Sequence, residues 1–77
     1  MITRQKSNTE ILKKAIDILG GLTQLSIKIN VSYQTVLDWK HGRRTPTPTN
    51  CQKIEKATDG QIKAEEILPD YPWHELR

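Results

Sequence analysis

The side chains able to do covalent or metal chemistry are few and scattered. Cys51 is the one cysteine. It shares an apolar helical stripe with Ile54 and Ala57 and has no sequence neighbour suited to activate it, so it reads as a small buried hydrophobe. His41 and His74 stand alone, and no pair of Cys or His has the spacing of a zinc site, which needs about four ligands. Gly20-Gly21 lacks the preceding strand and the lysine of a phosphate loop. The chain is therefore expected to be no enzyme and to hold no metal, cofactor or small-molecule ligand. Its 77 residues are 35% hydrophobic and include no Phe, enough for one compact core but not for walling off a roomy pocket. What remains is charge and hydrogen bonding. Residues 1–45 carry eight Lys and Arg against three Asp and Glu, a net +5, whereas residues 46–77 carry four against six, a net −2. A basic front suits a polyanion on one face; the plainer alternative is a solvated surface with uneven charges.

The elements that must position these groups are helical. Ser7-Asn8-Thr9-Glu10 has the S-x-x-E form of a capping box, with Ser7 as the cap. Ile11, Leu12, Ala15, Ile16 and Leu19 follow at helical spacing, Lys13, Lys14 and Asp17 face away, and Gly20-Gly21 stops the run. Leu22, Leu25, Ser26 and Ile29 mark the inner face of a second, short helix. Asn30-Val31-Ser32 interrupts it, since Asn tolerates the left-handed conformation and Ser is a good N-cap. A third helix is expected from about Tyr33 to His41, with Val36 and Trp39 on its rear face. Gly42 ends it, and residues 43–48 form an extended basic loop. Pro48 suits the first turn of a fourth helix, Asp59-Gly60 closes that helix, and Lys63 to Leu68 supplies one more short turn. Pro69-Asp70-Tyr71-Pro72-Trp73 is too rich in proline to be helical. The class is all-α, a single five-helix domain over 1–77 with flanking tails at 1–7 and 70–77. No run is apolar for the roughly 18 to 20 residues of a membrane span, and the first residues lack the apolar stretch of a secretion signal. A cytoplasmic location is expected.

Residues 22 to 39 meet the requirements of a helix-turn-helix. Ser26 is small where the third helix crosses the second, Asn30 accepts the turn's unusual backbone angle, and Val31 plugs the gap between the helices. With Val36 and Trp39 buried, the start and outer face of the third helix are left to enter a groove. Here the sequence resembles the phage Cro/CI-type repressor domains, of lambda-repressor-like fold, and among them the small Cro-like proteins grouped with YdaS-type antitoxins. The resemblance runs from about Ile11 to Trp73. It rests on Gly20-Gly21, the pattern from Leu25 to Trp39, the loop to Pro48, the stretch Ile54 to Gly60, and Pro69-Asp70-Tyr71-Pro72-Trp73. Leu22 replaces the Gln with which such proteins commonly grip a phosphate, leaving backbone amides for that role; Asn30 replaces a common Gly.

The resemblance implies that Tyr33, Gln34 and Asp38 reach base edges of double-stranded operator DNA, with Leu37 in apolar contact. Gln34 can pair bidentately with adenine, Tyr33 can donate to a base or touch a thymine methyl, and Asp38 can only accept, as from cytosine. Thr23, Ser32, Thr35, His41, Arg43 and Arg44 are assigned to phosphates. The expected function is that of a Cro-like transcriptional repressor of a bacterial or phage-infected cell, associated with the nucleoid. One recognition helix reads only about four base pairs, so a homodimer is expected, formed either in solution or on DNA alone, with Thr47, Asn50, Tyr71 and Trp73 as candidate contacts. The competing reading is an antitoxin-like or regulatory module whose main partner is a protein, with Ile27 outward on the second helix as its support. RNA binding is disfavoured because the aromatics form no stacking platform. Each assignment has a plainer counterpart: Arg43 and Arg44 as a solubilising loop, Asp38 paired with Lys40 or a helix neighbour, Tyr33 packed sideways on the second helix, and the aromatic tail folded onto its own core. Lys13 and Lys14 read as a solvated face.

Overall fold

The computed structural model describes residues 7–75, and among these every regular element is helical. Parts of the expected flanking tails, residues 1–6 and 76–77, lie outside the described residues. In chain order the elements are α1 (Thr9–Leu19), α2 (Leu22–Ile29), α3 (Tyr33–Lys40), α4 (Pro48–Ala57) and α5 (Ala64–Ile67), followed by a 3-10 turn at Trp73–Glu75. α1 packs on α2, α3 and α5, while α4 lies against α2 and α5.

The N-terminal cap differs from expectation by one residue. Asn8, not Ser7, caps α1, its Oδ1 accepting from the amides of Glu10 at 3.1 Å and Ile11 at 3.4 Å. Both residue types can cap, but the Asn8 amide also donates to the Ile67 carbonyl at 2.7 Å, which fixes the chain's entry against the end of α5. Glu10 is then free to meet Lys13 at 3.4 Å on the surface.

Four helices end in the same way. The amides of Gly21, Val31, Arg43 and Gly60 donate five residues back to the carbonyls of Ile16, Ser26, Asp38 and Glu55. Each bond closes over a residue with positive φ: Gly20, Asn30, Gly42 and Asp59. This arrangement satisfies carbonyls that the end of a helix would otherwise expose. It also turns the chain sharply enough for short helices to pack on one another.

The core gathers Leu12, Ala15 and Ile16 from α1, Leu25 and Ile29 from α2, Val36 and Trp39 from α3, and Cys51 and Ile54 from α4. Ile62, Ala64, Ile67, Leu68 and Trp73 close it from the C-terminal side. The polar groups drawn inside are paired. Ser26 Oγ donates to the Thr23 carbonyl at 2.7 Å, and Thr58 Oγ1 donates to the Ile54 carbonyl while accepting from the Ile62 amide at 3.2 Å. Glu55 reaches nine residues along the chain to accept from the first amide of α5, Ala64, at 2.8 Å.

Trp73 settles the behaviour of the tail. It is 5% exposed, and its Nε1 donates to the Leu68 carbonyl at 2.7 Å. Tyr71 packs edge-on against it with ring centroids 5.0 Å apart. Tyr71 and Trp73 thus pack onto the chain's own core, one of the two readings weighed for the aromatic tail, and Trp73, also a candidate dimer contact, has little surface left exposed. A large aromatic with one N–H donor is stabilised best where that donor has a partner, and Leu68 supplies it.

Cys51 is fully buried, and that burial pushes its thiol up from the ordinary 9.0 to about 12. In the unfolded chain the thiol ionises above pH 9 while the folded one stays protonated. Its contribution is therefore fully present below pH 9 and is lost as pH rises toward 12, by about 1.4 kcal/mol per pH unit. Urea melts of the protein and of Cys51→Ala between pH 8 and 10.5 should show the stability gap between them constant up to about pH 9 and shrinking toward that rate above it. A gap independent of pH would mean that the thiol titrates as if exposed.

Candidate nucleic-acid interface

The turn between α2 and α3 aims the third helix. Asn30 adopts φ 59° and ψ 52°, the left-handed conformation, and Ser32 then begins α3 with extended angles of −72° and 152°. Ser32 Oγ accepts from the Thr35 amide at 3.1 Å and exchanges a hydrogen bond with Thr35 Oγ1 at 2.7 Å. Val36 and Trp39, both buried, hold the rear of α3 to the core. The half-buried Val31 packs against the same cluster beside the turn. The start of α3 is left facing outward.

On that outer face Tyr33 is 49% exposed, Gln34 is exposed, and Leu37 and Asp38 are half-buried. Positions 33, 34, 37 and 38 share one face because residues three and four apart on a helix are neighbours. His41, four residues past Leu37 and three past Asp38, continues this face; Lys40, three past Leu37, lies half-buried at its edge. Tyr33 remains open to solvent rather than being packed away on α2.

Asp38 is where structure adds most to sequence. Gln34 Nε2 donates to its Oδ1 at 3.0 Å, and Arg43 Nη1 donates to the same oxygen at 3.3 Å. The Asp38 main-chain carbonyl also accepts from the Arg43 amide at 2.9 Å. The carboxylate side chain is 17% exposed. For Asp38 the plainer counterpart, pairing with a helix neighbour, is observed, with Gln34 and the loop residue Arg43 in place of Lys40.

The other assigned residues lie around this face in different states. Thr23 is exposed in the first turn of α2, and its carbonyl serves Ser26. The hydroxyls of Ser32 and Thr35 are already used in the cap. His41, Arg43 and Arg44 are exposed at and after the end of α3. Thr47 caps α4, its Oγ1 accepting from the Asn50 amide at 3.2 Å, and Asn50 is half-buried. Tyr71 is half-buried beside Trp73. No cluster of three or more metal-ligating side chains occurs among the described residues.

A family model described as the bacterial toxin YdaS matches residues 12–76. The chain belongs to the YdaS family. It is 33% identical over 72 residues to YdaS of Escherichia coli (strain K12), a protein whose name is that of a transcriptional regulator; the match covers 94% of this chain and 74% of that one. It is 29% identical over 68 residues to the regulatory protein Cro of Pseudomonas phage D3, covering 88% of this chain and 93% of Cro. No solved structure matches. The Cro-like helix-turn-helix expected from residues 22 to 39 is thus the arrangement of this YdaS-family chain, with the small Ser26, the left-handed Asn30 and the capping Ser32 each in the expected role.

The cap itself is testable. Ser32→Ala should cost about 1 kcal/mol of stability and Ser32→Gly much less, because glycine suits the cap backbone while alanine offers neither freedom nor an acceptor. Urea midpoints measure this, and amide exchange at Thr35 should accelerate in the alanine variant. Unchanged protection at Thr35 would show that the hydroxyl does not hold the helix start.

Proposed function

We propose that this YdaS-family chain is a sequence-specific DNA-binding transcriptional regulator that acts by occupying operator DNA in the bacterial cytoplasm. The observation that carries the reading is the outward start of α3, where Tyr33 and Gln34 stand exposed on a helix whose rear is locked by Val36 and Trp39. A rigid helix presenting hydrogen-bonding groups at its N-terminal end fits the major groove, and the dipole at that end favours the phosphates beside it. In this reading Tyr33, Gln34 and Leu37 meet bases, while Thr23, His41, Arg43 and Arg44 face the backbone on either side. The names of the E. coli and phage relatives agree with a regulatory role. Since one helix reads about four base pairs, two copies bind an inverted repeat. Thr47, Asn50 and Tyr71 are the remaining candidate contacts between them. Repression would follow from exclusion of polymerase.

One observation favours the protein-interaction reading: Ile27, on the outer side of α2, is 67% exposed. A module of that kind would hold duplex DNA weakly and with little dependence on salt.

Two measurements test the DNA reading. Neutralising Arg43 and Arg44 together should weaken binding to specific and random duplexes alike and flatten the salt dependence by about 0.9 in slope per lost phosphate contact; an unchanged slope removes them from the backbone. Gln34→Ala should cost about 1 to 3 kcal/mol on the site selected from a random duplex pool, with binding to random DNA nearly unchanged. Titration of that variant on single-base versions of the site should show one position per half-site losing its preference. Preferences intact everywhere would mean that Gln34 reads nothing.

A further inference from the structure

We infer that Asp38 is a positioning residue that sets the base preference of Gln34, not a base reader in its own right. The inference rests on the proposal that α3 reads DNA, and deepens it. An ionised carboxylate can only accept hydrogen bonds. The Gln34 group that faces it must therefore be the amide NH2, at 3.0 Å from Asp38 Oδ1. That single contact orders both ends of the amide, because Nε2 is held toward the following turn of α3 and Oε1 is turned away from it. Arg43, bonded to the same Oδ1 at 3.3 Å and through its amide to the Asp38 carbonyl, is a second tether on the carboxylate.

The consequence for recognition follows from the chemistry of the bases. Adenine asks for a donor at N7 and an acceptor at N6–H, in that order across the groove, and thymine on the other strand reverses the sides. A glutamine free to flip its amide can serve either order. One whose Nε2 already lies on Asp38 serves one, because its second N–H and its Oε1 keep a fixed left and right. The Asp38 contact thus discriminates A·T from T·A without touching a base. It also removes the ordering of a flexible side chain from the cost of binding. A carboxylate whose Oδ1 already accepts from two protein donors, on a side chain 17% exposed, is committed to holding Gln34 and Arg43 before any base arrives.

The test uses the full chain with Gln34→Ala, Asp38→Ala, Asp38→Asn and the double alanine variant, each titrated on the selected site and on its single-base versions. Asp38→Ala should lower the preference by about tenfold at the same position that Gln34→Ala affects, and the double variant should lose little more than Gln34→Ala alone. Asp38→Asn keeps an acceptor and should retain part of the preference. On random duplex the Asp38 variants should bind at least as tightly as the parent, since a negative charge has left the DNA face; this separates repositioning from unfolding. Without DNA, the Gln34 side-chain amide should give a rigid signal by nitrogen-15 relaxation in the parent and a mobile one in Asp38→Ala. Loss of preference at a different position, additive losses in the double variant, or no loss in Asp38→Ala would overturn the positioning role while leaving DNA reading in place. Gln34→Ala with every preference intact would overturn both.

Discussion

The crossing of α2 and α3 is the constraint on which the rest depends. Three residues in a turn must reverse one short helix into another closely enough that both bury their inner faces. Only a left-handed residue at position 30 permits so abrupt a change, and Asn30 provides it at φ 59°. A side chain larger than Ser at position 26 would hold the helices apart, while its hydroxyl is satisfied inside α2. Burial of Val36 and Trp39 then stabilises the crossing. Removing a buried aromatic of that size costs about 3 to 5 kcal/mol, a large share of the stability of so small a domain. With the crossing fixed, the direction in which Tyr33 and Gln34 project is fixed too.

Short helices contribute little stability of their own, so their ends matter as much as their faces. Four five-residue reversals, the caps from Asn8, Ser32 and Thr47, and the long-range reach of Glu55 to Ala64 pair main-chain groups that a small bundle would otherwise leave exposed or buried without partners. The tail completes the same economy. With no disulfide and a modest apolar inventory, the chain uses Trp73 as the last wall of its core and gives its indole N–H to Leu68. Of the two readings the sequence left open for this aromatic, the structure takes the one that places it in the core.

Charge organises the outer face in a similar way. Arg43 and Arg44 follow α3 as an exposed basic pair, yet Arg43 is tethered by both its main chain and its side chain to Asp38. The one carboxylate on the outer face of α3 holds that cation beside the helix and accepts from the glutamine one turn before it.

The chain by itself determined the fold class, the four longer helices, the turn at Asn30, the cap at Ser32, the inward faces of Leu25, Ile29, Val36, Trp39, Cys51 and Ile54, and the outward face of α3. These follow from local rules, because helical period, cap chemistry and left-handed tolerance act over a few residues and are written in their order. The choice of Asn8 over Ser7 as the cap, the burial of Trp73, the bond from Glu55 to Ala64, and the convergence of Gln34 and Arg43 on one oxygen of Asp38 were decided by the tertiary structure alone. Each depends on groups whose separation is set by packing. Asn8 wins because Ile67 offers a carbonyl to its amide, and Trp73 is buried because α5 ends where the indole can reach Leu68. Even the pair Gln34 and Asp38, four apart on one helix, was legible only as a possibility. The order of α3 placed them side by side, but it was the return of the loop at Gly42 that brought Arg43 back to the same carboxylate.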